Sequence, residues 1–441
     1  MKILMIGTGY VGLVTGTCFA EIGHDVTCFD KDLAKIEKLQ AGEIPIFEPG
    51  LDELVASNRD AGRIRFISGL DEMGENLPDF VFLAVGTPSH KLTGLADLSY
   101  VYAAAEEAAQ KLASIGGEGF TVFVTKSTVP VGTSVKVREV IGKHLSADQY
   151  AVASNPEFLR EGAAIEDFMA PERIVVGSDS EIAREMLEQM YRPLTRLGYP
   201  LVVTSTVATA ELIKYAANAF LATKVTFINE LSRLCEKVDA RVDELSLGMG
   251  LDSRIGDKYL NPGPGYGGSC LPKDTLALIR TAVEFNSPLE IVETVVRAND
   301  RHKHLMVQKI RNAVGGEVDG KRIGVLGLAF KAHTDDVRDS PALTIIPGLE
   351  QAGASLIAYD PEGTEQARAH LTECEFAQSP EEVFEGADIV AVVTEWPQFA
   401  TLDWPDLHTK MRNPVIVDLR NLLPLAKLRS LGFTCYSTGG L

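Results

Sequence analysis

The chain has 441 residues, of which 45% are hydrophobic and 23% charged, and a formal net charge of −19 at pH 7. That length exceeds one ordinary core and calls for two or three domains. The acidic balance excludes non-specific binding to nucleic acid or to an anionic membrane, so an anionic substrate must meet a local cluster of Lys and Arg. Six cysteines, Cys18, Cys28, Cys235, Cys270, Cys374 and Cys435, are scattered without a C-x-x-C pair, which reads as reduced thiols in a cytoplasmic protein. No metal-ligand spacing is visible. His302 and His304, two apart, read as a solvated helix face. Met1–Ile6 runs into Gly7 and is too short for a signal-peptide core or a membrane span.

In chain order, Lys2–Ile6 reads as a strand, Gly7-Thr-Gly9-Tyr-Val-Gly12 as a glycine turn, and the following run as a helix through Ala20. A second strand ends in Asp30. Strand, glycine turn, helix and acid together form a dinucleotide-binding fingerprint. Gly7 permits the tight turn, Gly9 lets the pyrophosphate approach, and Gly12 lets helix and strand pack. Asp30 suits the ribose hydroxyls of NAD, with Lys31 and Lys35 close by. Three further strand-like runs end in polar residues. Phe80–Val85 leads to Thr87, Thr121–Thr125 to Lys126 and Thr128, and Ala151–Ser154 to Asn155, Glu157 and Glu161. Helical runs such as Leu98–Ala113 separate them. The alternation predicts a parallel sheet with ligands outside the carboxyl ends of its strands. Thr87, Thr128 and Glu157 then share one rim.

Val207–Val238 contains no Gly or Pro and has apolar residues at helical spacing. A helix of that length outspans a small domain and is expected to pack against a second subunit. Glu211, Lys214 and Asn218 lie three and four residues apart and share one of its faces.

The densest stretch of chemistry is Asn261-Pro-Gly-Pro-Gly-Tyr-Gly-Gly-Ser-Cys270-Leu-Pro-Lys-Asp274. Pro272 sits at a helix start, and Thr275–Arg280 continues as helix. Cys270 therefore falls at a helix N-terminus, where the dipole favours the nucleophilic thiolate. Asp274, four residues on, shares its face. The competing reading is a glycine turn around an inert buried cysteine.

Residues 275–312 read as more helix. Lys321–Lys331 then starts a second strand-and-glycine unit, and Gly353–Asp360 repeats the pattern of Gly23–Asp30. Phe330 and Lys331 stand where glycines would, so this unit is expected to hold a nucleotide differently. Asp388–Val393 and Pro414–Asp418 supply two more strands, the latter opening onto Arg420. The whole is an α/β chain with two Rossmann-like, doubly wound parallel-sheet domains joined by a long central helix in a helical middle. The expected boundaries are 1–203, 204–300 and 301–441.

Five blocks in fixed order carry a resemblance: G-T-G-Y-V-G-L at 7–13, K-S-T-V-P-V-G-T at 126–133, N-P-E-F-L-R-E-G at 155–162, G-Y-G-G-S-C-L-P-K-D at 265–274 and D-D-V-R-D-S-P at 335–341. With them the chain resembles the UDP-glucose 6-dehydrogenase branch of the UDP-glucose/GDP-mannose dehydrogenase family over essentially its whole length. One departure is Leu419, before Arg420, where glycine is more usual. The resemblance implies two successive oxidations of the sugar's primary alcohol to a carboxylate with two NAD, through a thiohemiacetal and then a thioester on Cys270. It assigns Lys214 and Asn218 to the oxyanion. Asp274 and Thr128 fall to water and proton transfer, and Glu157 to general base in the thioester step. The first proton is left to either Lys214 or a water held by Asp274. The implied cofactor contacts are Gly7, Gly9, Val11, Gly12, Asp30, Lys35, Thr87, Thr128, Glu161, Lys273 and Arg338. The implied substrate contacts are Glu157, Phe158, Leu159, Arg160, Glu161, Lys214, Asn218, Tyr259, Leu260, Asn261, Pro262, Gly263, Gly267, Phe330, Lys331 and Arg420, with Arg254 reaching a neighbouring subunit's diphosphate. The expected partners are UDP-glucose and a second copy of the chain, at least as a homodimer.

Three readings compete. UDP-glucose is favoured over GDP-mannose or a UDP-N-acetylhexosamine by Arg160-Glu-Gly162. A single-oxidation hydroxyacid-type dehydrogenase would share the first domain but would not need Cys270. A non-catalytic nucleotide-sugar sensor would bind without forming NADH.

Overall fold

The computed structural model describes residues 1–88 and 96–440. The chain divides into two compact units, Met1–Ala216 and Ala217–Leu441. The helix Val207–Val238 runs through that division with the limits its sequence predicts.

The first unit is built on eight strands: β1 (Lys2–Ile6), β2 (Asp25–Phe29), β3 (Ile64–Ile67), β4 (Phe80–Leu83), β5 (Thr121–Thr125), β6 (Tyr150–Ser154), β7 (Ile174–Ser178) and β8 (Leu201–Thr204). They lie in the order β3-β2-β1-β4-β5-β6-β7-β8. Val81, Phe82, Val122 and Phe123 are fully buried, as expected of strands covered by helices on both faces. One apolar cluster around Phe19, Phe82 and Tyr191 fills one face, and another around Phe123, Val101 and Ile141 fills the other.

One pairing differs from the all-parallel expectation. β7 runs antiparallel to β6, with Ser154 opposite Gly177. After β6 the chain spends residues 155–162 beyond the strand end and then forms only the short helix Ala164–Met169. Six helical residues advance about 9 Å, whereas recrossing a five-residue strand takes about 17 Å. β7 therefore starts from the edge that the chain has already reached.

The second unit carries β9 (Arg322–Leu326), β10 (Ser355–Tyr359), β11 (Glu375–Phe376), β12 (Ile389–Val392), β13 (Val415–Asp418) and β14 (Thr434–Ser437), in the order β11-β10-β9-β12-β13-β14. All of its ladders are parallel. This is the doubly wound order expected of the second nucleotide-binding-like unit. Ahead of it lie the helices Leu271–Glu284 and Glu290–Asn312.

Glu211, in the first turns of the long helix, is buried and accepts the Gly132 amide at 2.9 Å. Gly132 is the N-cap of the helix Thr133–Ile141, so Glu211 caps that helix from outside. Burial drives the Glu211 carboxyl up to about 7, against the opposing pull of the Gly132 and Ser134 amides. The folded state thus holds a proton that an unfolded glutamate near its ordinary value releases. The resulting stability is full below about 4.5 and is lost as pH rises through about 7. Glu211→Gln should remove this dependence. In thermal melts it should exceed wild type above pH 7 and match it near pH 5.

Candidate active site

The turn after β1 is shaped by packing at two of its three glycines. A Cβ on Gly12 would lie 2.0 Å from the Gly7 carbonyl oxygen, and Gly7 itself has φ +100°. Gly9 differs. A Cβ there meets no protein atom within 4 Å, so packing alone does not demand glycine; close approach of a phosphate does. Gly9 is the N-cap of the helix Tyr10–Glu21, which has no side-chain cap and no acid in its first turn. Such a terminus receives an anion. Val11 lies half-buried in that first turn.

Asp30 directly follows β2, at the strand end where the sequence places it. Its Oδ2 accepts the Thr8 amide at 2.8 Å, the Thr8 hydroxyl at 2.9 Å and Lys35 Nζ at 3.3 Å. Burial raises its pKa, but the Thr8 and Asp32 amides, the Thr8 hydroxyl and Lys35 outweigh that and hold it below the usual range. It is therefore ionised, the state that accepts ribose hydroxyls. On the same rim, Thr87 donates to the Thr128 carbonyl at 3.1 Å. This donor set fits NAD.

Residues 155–162 leave β6 at that end of the sheet. Glu157 and Lys214 form an ion pair of 2.8 Å with both side chains 5% exposed. The Leu159 amide adds a 2.7 Å bond to the second carboxylate oxygen. Burial pushes the Glu157 carboxyl up, but Lys214, Leu159 and Lys126 overcome this and keep it ionised, with a net downward shift. The Phe158 ring centroid lies 3.9 Å from the Arg173 guanidinium and 5.4 Å from Lys214 Nζ. Arg160 turns outward to chelate Asp167, and half-buried Glu161 follows it.

Sequence reasoning missed the residues that hold this segment. Asn155 accepts from Lys126 Nζ at 3.0 Å and from the Tyr191 hydroxyl at 2.5 Å, all buried. Glu48 accepts the Gly162 and Ala164 amides at 2.8 Å each, together with the Tyr10 hydroxyl. Lys126 stands inside a quoted motif, so it was within reach. Glu48 carried no local signal.

In the second unit, Cys270 is the N-cap of the helix Leu271–Glu284, with Pro272 in its first turn. The thiol is half-buried and within 3.5 Å of the Ser269 hydroxyl. Asp274 is 0% exposed. Its carboxylate takes Asn218 Nδ2 at 2.7 Å and Lys273 Nζ at 2.5 Å. Two of the predicted groups, Asn218 and Asp274, thus meet directly. Lys273, expected on the cofactor, is paired with Asp274.

The glycines ahead of Cys270 answer to packing. A Cβ on Gly267 would lie 2.4 Å from the Asp339 carbonyl oxygen, and one on Gly268 would lie 2.8 Å from the Phe330 ring. The Gly268 amide donates to the Arg338 carbonyl at 2.8 Å. These contacts bring the predicted substrate residues Gly267 and Phe330 together. Arg420 reaches the same place, donating to the Phe330 carbonyl and the Val393 carbonyl at 2.8 Å each. Leu419 is fully buried in the core beside it. Lys331 Nζ sits 5.7 Å from the Phe330 ring. Tyr259 is half-buried, Leu260, Pro262 and Gly263 are buried, and Asn261 is exposed. The Arg338 side chain chelates Asp336, and Arg254, 87% exposed, chelates Asp252.

Backbone strain gathers at these segments. Tyr259, itself a predicted substrate residue, has φ 65°, and His333, Asp339 and Asn421, close in sequence to Lys331, Arg338 and Arg420, have φ of 62°, 51° and 54°. Non-glycine residues in this region persist only where the surroundings enforce them, and they concentrate at functional sites.

Two expectations are corrected or sharpened. His302 is not on a solvated face: it is 1% exposed, donates Nε2 to the Gly263 carbonyl at 2.8 Å, and faces Arg233 with Nδ1 at 2.7 Å. His304 is exposed as expected. Asp360, the counterpart of Asp30, is filled by the protein itself. It accepts the Leu328, Ala329, Glu362 and Gly363 amides and the Trp396 indole. The second unit therefore cannot offer this acid to a ribose.

Comparison with known proteins agrees with this geometry. Residues 1–195 match the NAD binding domain of the UDP-glucose/GDP-mannose dehydrogenase family, 208–301 its central domain and 324–424 its UDP binding domain. The chain belongs to that family and is an NAD-dependent oxidoreductase. It is 53% identical to a UDP-glucose 6-dehydrogenase of Rhizobium meliloti, across 100% of this chain and 99% of that one. It is 45% identical to the UDP-glucose 6-dehydrogenase TuaD of Bacillus subtilis, across 99% of this chain and 93% of that one. Among solved structures it is similar to a UDP-glucose dehydrogenase from Pyrobaculum islandicum, with a TM-score of 0.89 and 37% identity over 100% of this chain and 97% of that one.

Alanine at Gly9 and at Gly12 should differ in their effect on stability. Gly9→Ala should keep the wild-type thermal midpoint yet lose NAD affinity by about tenfold or more, about 1.4 kcal/mol. Gly12→Ala should lower both, because its new methyl has no room. Calorimetric NAD titration beside thermal unfolding checks the pair.

Proposed function

We propose that this chain oxidises UDP-glucose to UDP-glucuronate in two steps without releasing the aldehyde. The observation that carries the reading is Cys270 at a helix N-terminus, with Asp274 buried one turn further on against Asn218. A single-oxidation dehydrogenase has no use for that thiol. The balanced reaction consumes the sugar alcohol, two NAD and one water, and yields the carboxylate, two NADH and three protons. NAD supplies the hydride acceptor for both oxidations, held at Gly7, Gly9, Val11, Gly12, Asp30 and Thr87.

The chain's own groups divide the remaining work. The ion pair with Glu157 keeps a proton on Lys214, so the first hydroxyl proton leaves through a water held by Asp274 rather than to Lys214. The Cys270 thiolate then adds to the aldehyde carbon, and Lys214 with Asn218 stabilises the resulting oxyanion. Loss of the second hydride from that thiohemiacetal leaves a thioester. Glu157, ionised and buried, takes a proton from the attacking water, with Thr128 and Asp274 placing it. The C–S bond breaks and returns the thiolate.

The substrate segments are 157–161, 259–263, Gly267, Phe330, Lys331 and Arg420. Lys214, Lys331 and Arg254 offer positive charge to the diphosphate on an otherwise acidic chain. We place cofactor binding in 1–203, a dimerising middle in 204–300 and nucleotide binding in 301–441. The dimer reading draws on Phe220, Phe227, Leu234 and Val238, exposed at spacings of seven, seven and four along the long helix. That is one apolar stripe awaiting a partner. Among the described residues no helix is long and apolar enough to cross a membrane, and we place the enzyme in the cytoplasm.

An NADH assay across UDP-glucose, UDP-N-acetylglucosamine and GDP-mannose tests the reading. UDP-glucose should give two NADH per sugar and be preferred. Cys270→Ser should bind both ligands and lose acid formation by about a thousandfold or more. One NADH per sugar, or acid formation by Cys270→Ser near the wild-type rate, contradicts it.

A further inference from the structure

The helix Glu290–Asn312 presents Asn299, His302 and Lys303, spaced three and four apart and 3%, 1% and 7% exposed. Burying three such side chains on one face is costly unless each is fully used. All three are spent on the backbone of other segments. Asn299 accepts the Tyr266 amide at 2.9 Å and donates to the Tyr266 carbonyl at 3.1 Å. His302 donates to the Gly263 carbonyl, and Lys303 to the Asp339 carbonyl at 3.0 Å. From the long helix, Asn229 accepts the Gly263 amide at 2.8 Å. Both backbone polar atoms of Gly263 and of Tyr266 thus end on buried side chains.

The grip is also steric. Gly265 lies at φ +120°, and a Cβ there would stand 3.0 Å from Asn299 Oδ1 and 3.1 Å from the Lys303 stem. The histidine's form follows from its partners. Nε2 faces an acceptor and must carry the hydrogen, which leaves Nδ1 to accept from Arg233. Burial lowers the His302 pKa to about 4, so this neutral form holds throughout the working range.

We propose that Asn229, Asn299 and His302 are positioning residues that act through the Gly263 and Tyr266 peptides. Their clamp fixes a loop with the nucleotide-contacting segment 259–263 at one end and Cys270 at the other. This rests on the reading of 259–263 as a substrate segment. The two grips act on different quantities: the Gly263 grip governs nucleotide affinity, and the Tyr266 grip, four residues before the sulfur, governs turnover.

The test measures steady-state kinetics, calorimetric UDP and NAD binding, and amide exchange of the ligand-free enzyme. His302→Leu should weaken UDP binding and raise KM for UDP-glucose about tenfold, the worth of one buried hydrogen bond, with kcat within about twofold. His302→Gln, which keeps a donor at the same reach, should recover most of the loss. Asn299→Leu should lower kcat about tenfold with UDP affinity retained. NAD affinity should not move in any variant, while amides 263–268 should lose protection in both leucine variants. Equal damage in His302→Gln and His302→Leu, or deprotected amides with KM, kcat and UDP affinity unchanged, overturns the proposal. If the wild type fails to oxidise UDP-glucose, the proposed function falls, and UDP affinity with amide exchange still decides the clamp.

Discussion

Two buried carboxylates set the ties that the long helix has to make. Glu157 and Asp274 are each buried, and a buried charge stripped of a partner costs about 3–5 kcal/mol. One helix answers for both: Lys214 meets Glu157, and Asn218, one turn later, meets Asp274. The Asn218–Asp274 pair lies within Ala217–Leu441 and the Lys214–Glu157 pair within Met1–Ala216. The same pairing keeps Glu157 ionised although burial alone would protonate it.

The glycine-rich segment before Cys270 illustrates a second constraint. Its glycines suggest room for a ligand, yet Gly265, Gly267 and Gly268 are each pressed against protein atoms. Room for a ligand is instead what Gly9 provides in the first unit. One residue type therefore serves opposite ends: at 9 it leaves space, and at 265–268 it lets a loop thread between a helix and the Phe330–Ser340 turn. Strained Tyr259 and Asp339 mark where that threading is enforced.

Much of this was legible in the sequence where the signal was local. The turn at 7–12 with Asp30, the limits of the long helix, and Cys270 as an N-cap each follow from a spacing or a capping rule. What escaped depended on distant partners. The reversal of β7 follows from how far a short helix can carry the chain. His302 looked like a surface residue because its acceptor, the Gly263 carbonyl, lies 39 positions away. Asp360 matched Asp30 in pattern, but Trp396 and four amides occupy it. Family resemblance named site residues that spacing alone could not, and its motifs contain Lys126 and Asn155 but not Glu48.

The central claim is that the sugar rides on Cys270 between its two oxidations. Mass spectrometry of acid-quenched Glu157→Gln, incubated with UDP-glucose and NAD, addresses it directly, since that variant should stall at hydrolysis. The account predicts a Cys270 peptide bearing the uronyl group as a thioester, released by hydroxylamine. Unmodified Cys270 in the presence of two equivalents of NADH would contradict it.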